Sequence, residues 1–148
     1  MGVLMKHKNT LGASVLAVGL LISSAAFADI GSISFYGNNA SRPADFVQGC
    51  NISEDTVSSR NYLVVTVSEG LWDNGASCGR RYRMRCISTP GKHSCTANTI
   101  DVIVVGRCPN GRCTVGGRDV AMKIAFIRYS LLVQARTAPW ANIEFIQI

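Results

Sequence analysis

Four arginines lie between two cysteines in the segment Cys78–Cys86, which is the densest cluster of charged groups in the chain. Alternate residues of a β-strand point to opposite faces, so Arg81, Arg83 and Arg85 would share one face of a strand here. A row of guanidinium groups can bind carboxylates through bidentate, charge-assisted hydrogen bonds. The segment therefore predicts a positive strand face that could recognise an acidic partner. The other face would hold Arg80, Tyr82, Met84 and Cys86.

The chain has six cysteines, all of them after residue 28. An even number in an exported protein predicts three disulfides, although spacing alone does not choose among the possible pairings. Zinc ligation by Cys108, Cys113 and His93 is the alternative, and the four-residue gap and missing second histidine disfavour it. We therefore expect no metal and no cofactor. The cysteines are Cys50, Cys78, Cys86, Cys95, Cys108 and Cys113.

Residues 1–28 have the features of a cleaved signal peptide. Lys6 and Lys8 precede the apolar run Leu11–Ile22, and Ala26–Ala28 forms a small-x-small cleavage site. The run is shorter than the ~20 residues that a membrane span needs, and no later segment is long and apolar enough. We expect a secreted, extracellular protein in which residues 29–148 form one domain without a membrane span.

The basic residues are concentrated locally rather than in a tail. Two of the 15 basic residues and none of the nine acidic ones lie in the predicted signal, which leaves a net charge of +4 for residues 29–148. Such an excess indicates a positive patch.

Hydrophobic patterning predicts five or six short strands and one helix. The helix is expected at Val120–Ile127, with Ala135 as its latest end before Pro139, and Asn38–Asn61 is polar enough for a long loop. Short strands in a chain of this size predict an all-β fold, a small closed barrel rather than a layered α/β fold. The strands are expected at Ile30–Tyr36, Tyr62–Val67, Arg80–Ile87, Ile100–Val105 and Asn142–Ile148.

The arginine strand has three possible roles. Nucleic-acid binding is disfavoured, because only Tyr82 could stack on a base and an exported protein rarely meets nucleic acid. A solvated outer face and recognition of a partner both remain. Trp72 could fill the core or form an exposed platform for a sugar ring or receptor. The candidate receptor-binding residues are Trp72, Arg80, Arg81, Tyr82, Arg83 and Arg85.

Several segments resemble the plant natriuretic peptides, which are expansin-like, barwin-related secreted proteins. The resemblance runs from about Gly31 to Ile148, and Trp72–Cys86 is its most specific part. It implies a six-stranded double-psi β-barrel with one short helix, stapled by disulfides. The signal looks bacterial, so we expect a bacterial member of this family. The matching segments are Tyr62–Val65, Leu71–Gly75, Cys78–Arg83 and Ile100–Val105.

The resemblance also implies which cysteines pair. It pairs the first cysteine with the second, the third with the fourth, and the fifth with the sixth. The implied pairs are Cys50 with Cys78, Cys86 with Cys95, and Cys108 with Cys113.

Wider relatives of this family include inverting endoglucanases, which need one carboxyl group as general acid and a second as general base. The resemblance places the acid at Asp119, after Cys113. The first strand, Ser34–Gly37, resembles the expansin motif and offers no carboxylate. We therefore expect no enzyme activity. Asp119 could instead be a carboxylate at the N-terminus of the predicted helix, where the helix dipole favours a negative charge.

Two functions follow from the resemblance. The first is a hormone-mimicking effector that alters water and ion balance through a cell-surface receptor of a host plant, with its activity in Phe46–Arg85. The second is a non-hydrolytic, expansin-like binder of cell-wall polysaccharide, with a groove lined by Phe35, Tyr36 and Asp119. Expansins add a second carbohydrate-binding domain, and this chain ends where that domain would begin, so we expect signalling rather than wall binding. We expect a monomer in either case.

Overall fold

Eight strands, two one-turn α-helices and two one-turn 3-10 helices make up the secondary structure of the described residues. The computed structural model describes residues 27–36, 49–52, 63–91, 94–134 and 138–148. The α-helices are α1 (Glu69–Trp72) and α2 (Phe126–Tyr129). The strands are β1 (Asp29–Tyr36), β2 (Leu63–Val67), β3 (Arg81–Ser88), β4 (Thr99–Arg107), β5 (Cys113–Val115), β6 (Arg118–Val120), β7 (Met122–Ala125) and β8 (Ala141–Gln147).

Six of these strands close into a barrel in the order β1-β7-β2-β4-β3-β8, and β8 pairs back with β1. Two neighbouring pairs, β1 with β7 and β2 with β4, are parallel, whereas the others are antiparallel. Closure leaves no unpaired edge on the barrel that could recruit another chain. The all-β barrel predicted from the sequence is confirmed.

The barrel is filled by the inward side chains of its strands. Val65 and Val67 alternate with outward residues on β2, as Met122 and Ile124 do on β7, and all four are fully buried. Alternation of this kind is what a strand with one face on the core requires. The same cluster includes Ile33, Met84, Val102, Val104, Ile143 and Phe145.

All five predicted strands are present, with ends that differ by a few residues. The helix predicted at Val120–Ile127 is wrong over most of its length. Met122–Ala125 is instead strand β7, and the helix is the single turn Phe126–Tyr129. Three of the four β7 residues are buried, and a short apolar run of this kind cannot be distinguished from a helix by periodicity.

The turn-rich connection predicted at Cys108–Gly117 contains a small hairpin. Strands β5 and β6 pair antiparallel across Gly116 and Gly117, whose φ angles are 54° and 79°. Two consecutive residues with positive φ form the two-residue turn that suits a hairpin, and glycine adopts positive φ angles without strain. The hairpin projects Arg112 and Asp119 beside the barrel.

The three disulfides join the pairs that the resemblance implies, which confirms that prediction. Cys50 is bonded to Cys78, Cys86 to Cys95, and Cys108 to Cys113. The first bridge ties residues 49–52 to the turn before β3. The other two close short loops next to the barrel.

The predicted signal and most of the predicted Asn38–Asn61 loop lie outside the described residues. Within the described chain, no helix has the length and apolar character of a membrane span.

We predict that Ile124→Ala lowers the free energy of unfolding by about 2–5 kcal/mol, because it leaves a cavity in the centre of the barrel. Urea denaturation of the oxidised protein measures the change. The control is Ile127→Ala on α2, a position that is 52% exposed and should change stability by no more than about 0.5 kcal/mol. Equal effects of the two substitutions would contradict the described core.

Candidate functional site

The arginine strand is β3, and its two faces are those expected from the sequence. Tyr82 and Met84 are buried, whereas Arg83 and Arg85 are exposed. The Tyr82 ring lies edge-on to Phe145, with 5.4 Å between ring centroids. Tyr82 is therefore part of the core and does not belong to a receptor-binding surface.

The outward arginines meet carboxylates on the neighbouring strands. Arg83 lies opposite Asp101 on β4, and its Nε and Nη2 donate to the two carboxylate oxygens at 2.8 Å and 3.0 Å. Arg85 lies opposite Glu144 on β8, and its Nε donates to Oε2 at 2.6 Å. The outward face that the sequence predicts is present, but the pairing register places an acid beside each of these two arginines.

Trp72 and Arg80 flank the turn that leads into β3. Trp72 ends α1 and packs on the main core, and a Cβ added to Gly49 would lie 2.6 Å from its ring. The ring is thus covered by the segment that carries Cys50. Arg80 donates to Asp73 at 3.2 Å. Trp72 therefore has a packing role, and Arg80 holds the turn.

Phe35 and Tyr36 point in opposite directions, as neighbours on one strand must. Phe35 packs against Phe126 and Tyr129 of α2, with ring centroids 4.8 Å and 5.0 Å away. Tyr36 lies on the outer side of the barrel, where its hydroxyl is 2.6 Å from Thr66 Oγ1 and accepts the Thr66 N–H at 3.0 Å. The two residues therefore do not line one groove.

Asp119 lies on β6 and not at the start of a helix, which corrects the second interpretation of this residue. Its Oδ1 accepts hydrogen bonds from Arg112 Nη2 at 3.0 Å and Nε at 3.3 Å. It lines a cleft of about 310 Å³ between α1 and the β5–β6 hairpin, which we call the hairpin cleft. Phe35 and Tyr36 are not among its lining residues, which include Glu69, Gly111, Arg112, Asp119 and Ala121.

The hairpin cleft has a second carboxylate that the sequence analysis did not consider. Glu69 of α1 accepts a hydrogen bond from Arg107 Nη1 at 3.0 Å and lies over Gly111, where a Cβ would come within 2.5 Å of Glu69 Oε2. Both acids of the cleft are thus engaged by arginines, and both side chains are more than half exposed.

A further group of polar residues lies on the outer face of three adjacent strands. Lys123 on β7 pairs with Ser34 on β1 and with Thr66 on β2, and paired residues point to the same side of a sheet. We call Ser34, Lys123 and Thr66 the outer row. Lys123 is the charged residue of the otherwise apolar strand β7. A lysine within a short apolar run is the sequence signal that could have identified this group.

The two hydroxyls of the outer row are already hydrogen-bonded. Ser34 Oγ donates to the Pro139 carbonyl at 2.7 Å. Thr66 Oγ1 is 3.3 Å from Cys108 Sγ, and it must be the donor because a disulfide sulfur carries no hydrogen. Tyr36 then donates to Thr66, and burial raises the pKa of Tyr36, which keeps that hydroxyl neutral.

Lys123 differs from its neighbours because it has no partner among the described residues. It is half-buried, and desolvation lowers the pKa of its ammonium group. The described part of the chain also contains no group of three or more histidine, cysteine or acidic residues that could hold a metal ion.

Trp140 supplies an aromatic ring beside the outer row. It follows Pro139, which accepts the Ser34 hydrogen bond, and packs against the cluster of Cys108, Cys113 and Val120. Arg118 lies over the ring, with Cζ 3.8 Å from its centroid. Ser34 and Thr66 are buried, so the residues of this region that reach solvent are Lys123, Arg118 and Trp140.

No protein-family model matches the chain, but individual plant proteins do. An EG45-like domain containing protein 2 of Arabidopsis thaliana is 49% identical over 53 residues, which is 34% of this chain and 41% of that protein. An EG45-like domain containing protein of Citrus jambhiri is 30% identical over 94 residues, or 62% of this chain and 65% of the relative. Expansin-A17 of Oryza sativa subsp. japonica is 32% identical over 82 residues, or 53% and 28%. The matches thus span less than two thirds of each of these relatives.

Among solved structures, the apo expansin of Clavibacter michiganensis has a similar fold. The TM-score is 0.52 at 18% sequence identity, over 82% of this chain and 50% of the expansin. The barrel fits the double-psi topology of that structure. These likenesses support the expansin-like double-psi β-barrel family. The natriuretic-peptide identity and the bacterial origin stay predictions.

We predict that Arg83→Gln destabilises the protein at neutral pH and that this effect shrinks as the pH is lowered toward about 2. The hydrogen bonds from Arg83 hold the pKa of Asp101 below its usual value. A lowered folded-state pKa stabilises the fold above the unfolded-state pKa of about 3.9, and this stabilisation is lost as the pH falls through the folded-state value. Denaturation of both proteins across this pH range measures the difference.

The matched control is Arg128→Gln, since Arg128 is an exposed arginine with no ion pair in the described chain. Its effect should not depend on pH in this window. A destabilisation by Arg83→Gln that persists undiminished at about pH 2 would contradict the role of the pair.

Proposed function

We propose that this protein binds a cell-wall polysaccharide without hydrolysing it, as an expansin-like module. The observation that carries the proposal is the half-exposed Trp140 ring, which packs on the cluster of Cys108, Cys113 and Val120 and has Arg118 beside it. Aromatic rings with adjacent polar groups suit the apolar face and hydroxyl groups of a sugar. The plant EG45-like and expansin relatives support an expansin-like, non-enzymatic role.

The acids of the hairpin cleft do not suit hydrolysis. An inverting glycosidase needs a general acid that keeps its proton, usually through burial, and a base that activates water. Glu69 and Asp119 are instead largely exposed, and each accepts a hydrogen bond from an arginine. Their arrangement suits structural ion pairing and supports a non-enzymatic role.

A hormone-like role at a receptor of a host plant is the competing proposal. Its structural argument was the positive face of β3, and the pairing of Arg83 with Asp101 and of Arg85 with Glu144 removes most of that charge. Such a role would now have to use another surface. The polysaccharide proposal is therefore the one that we develop.

We predict that the oxidised protein co-sediments with insoluble plant cell wall and releases no reducing sugar from it. Trp140→Ala should weaken binding about 2–10-fold, the range expected for loss of one aromatic contact. Trp140→Phe should retain most of the binding because it keeps a ring. The control is Ile127→Ala, an exposed apolar change on α2.

Thermal denaturation of each variant separates lost binding from lost folding, since Trp140 also packs on the Cys108–Cys113 cluster. If the folded Trp140→Ala variant binds like wild type, this face is not the site. Reducing-sugar release that disappears in Asp119→Ala would show a hydrolase. A response of plant tissue to a wild type that binds no wall material would favour the hormone-like role.

A further inference from the structure

Arg118 on β6 and Trp140, the residue before β8, are in direct contact. The Arg118 Cζ atom lies over the Trp140 ring, 3.8 Å from the ring centroid. At this distance the planar guanidinium group stacks on the ring in van der Waals contact. One face of the indole ring is therefore covered by another side chain of the same protein.

The packing of Trp140 indicates which face Arg118 covers. Trp140 is half-buried and packs on the cluster of Cys108, Cys113 and Val120, whereas Arg118 is exposed. An exposed side chain that lies over a half-buried ring covers the ring from the solvent side. A sugar that stacks on Trp140 needs this same face, so the sugar and the guanidinium group compete for it.

The Arg118 side chain is held weakly in this position. Alternate residues of a strand point to opposite faces, so Arg118 points away from its neighbour Asp119, whose carboxylate pairs with Arg112. Among the described residues, no carboxylate pairs with the Arg118 guanidinium group. A cation–π contact at an exposed position is weak by itself, so a ligand that binds the ring can displace the arginine.

We propose that Arg118 is a displaceable cap on Trp140, which a polysaccharide must move aside before a sugar stacks on the ring. The inference rests on the proposed function and adds a self-inhibiting contact at the same site. A site whose binding-competent state is only partly populated has an apparent affinity reduced by that fraction. An exposed cation–π contact corresponds to binding that is about 2–5-fold weaker than binding to the uncapped ring.

The first test measures the cover on the ring in the full oxidised protein, without any ligand. Arg118→Ser removes the guanidinium group at an exposed position. Acrylamide quenching of tryptophan fluorescence reports how accessible the indole rings are, and we expect Arg118→Ser to increase it. The increase should be absent when Trp140→Phe is also present, because Trp72 is then the one tryptophan left in the chain.

The second test measures binding by isothermal titration with a soluble, neutral β-glucan. The affinity of Arg118→Ser should be about 2–5-fold higher than that of the wild type. A neutral probe is chosen because the loss of one charge from the protein does not change the long-range attraction of an uncharged ligand.

The matched control for both tests is Arg128→Ser. It also removes an exposed arginine without a carboxylate partner among the described residues, but it lies on α2. It should change neither the quenching nor the affinity. Thermal denaturation checks that each variant is folded.

The other outcomes separate a failure of the cap from a failure of the proposed function. Unchanged quenching in Arg118→Ser would show that the guanidinium group does not cover the ring, and this overturns the cap whatever the titration gives. An unchanged or lower affinity of Arg118→Ser, with a wild type that binds glucan, would overturn the cap and leave the polysaccharide proposal standing. Increased quenching, with no binding of either protein to soluble glucan or to insoluble wall, would overturn the proposed function and the cap that rests on it.

Discussion

The rest of the structure depends on the position of β7 between β1 and β2. This four-residue strand pairs parallel with β1 and antiparallel with β2, and without it the barrel would be open between those two strands. Met122 and Ile124 point inward and fill the centre of the core, whereas Lys123 points outward. Because one short strand completes the hydrogen bonding of two neighbours, its register fixes both the core packing and the composition of the outer face.

That constraint also explains why the sequence analysis succeeded for some elements and failed for others. Strands β1, β3 and β8 have one face in the core, so their sequences alternate and their positions were predicted closely. Strand β7 is buried over most of its length, and its run of apolar residues was interpreted as a helix. Which strands become neighbours is set by contacts far apart in the chain, and local patterning does not contain that information.

The same distinction applies to the candidate site. The two faces of β3 were predicted from alternation alone. The acids opposite Arg83 and Arg85 lie on β4 and β8, and finding them requires the strand order and register. Likewise, Ser34, Lys123 and Thr66 come from three separate parts of the chain and meet only because β7 lies between β1 and β2. The disulfide pairing was predicted because the family resemblance supplied the long-range information.

Three arginines of the barrel strands, Arg83, Arg85 and Arg107, are each paired with a carboxylate. An arginine opposite a carboxylate in the strand register stabilises the pairing of its strands and carries little net field, since the two charges cancel at short range. Lys123 has no such counterpart among the described residues, and the residues paired with it, Ser34 and Thr66, carry buried neutral hydroxyls. A half-buried ammonium group in that setting contributes nothing to strand pairing and costs solvation free energy. The stability of this face therefore comes from the buried hydrogen bonds of Ser34, Tyr36 and Thr66 and not from Lys123.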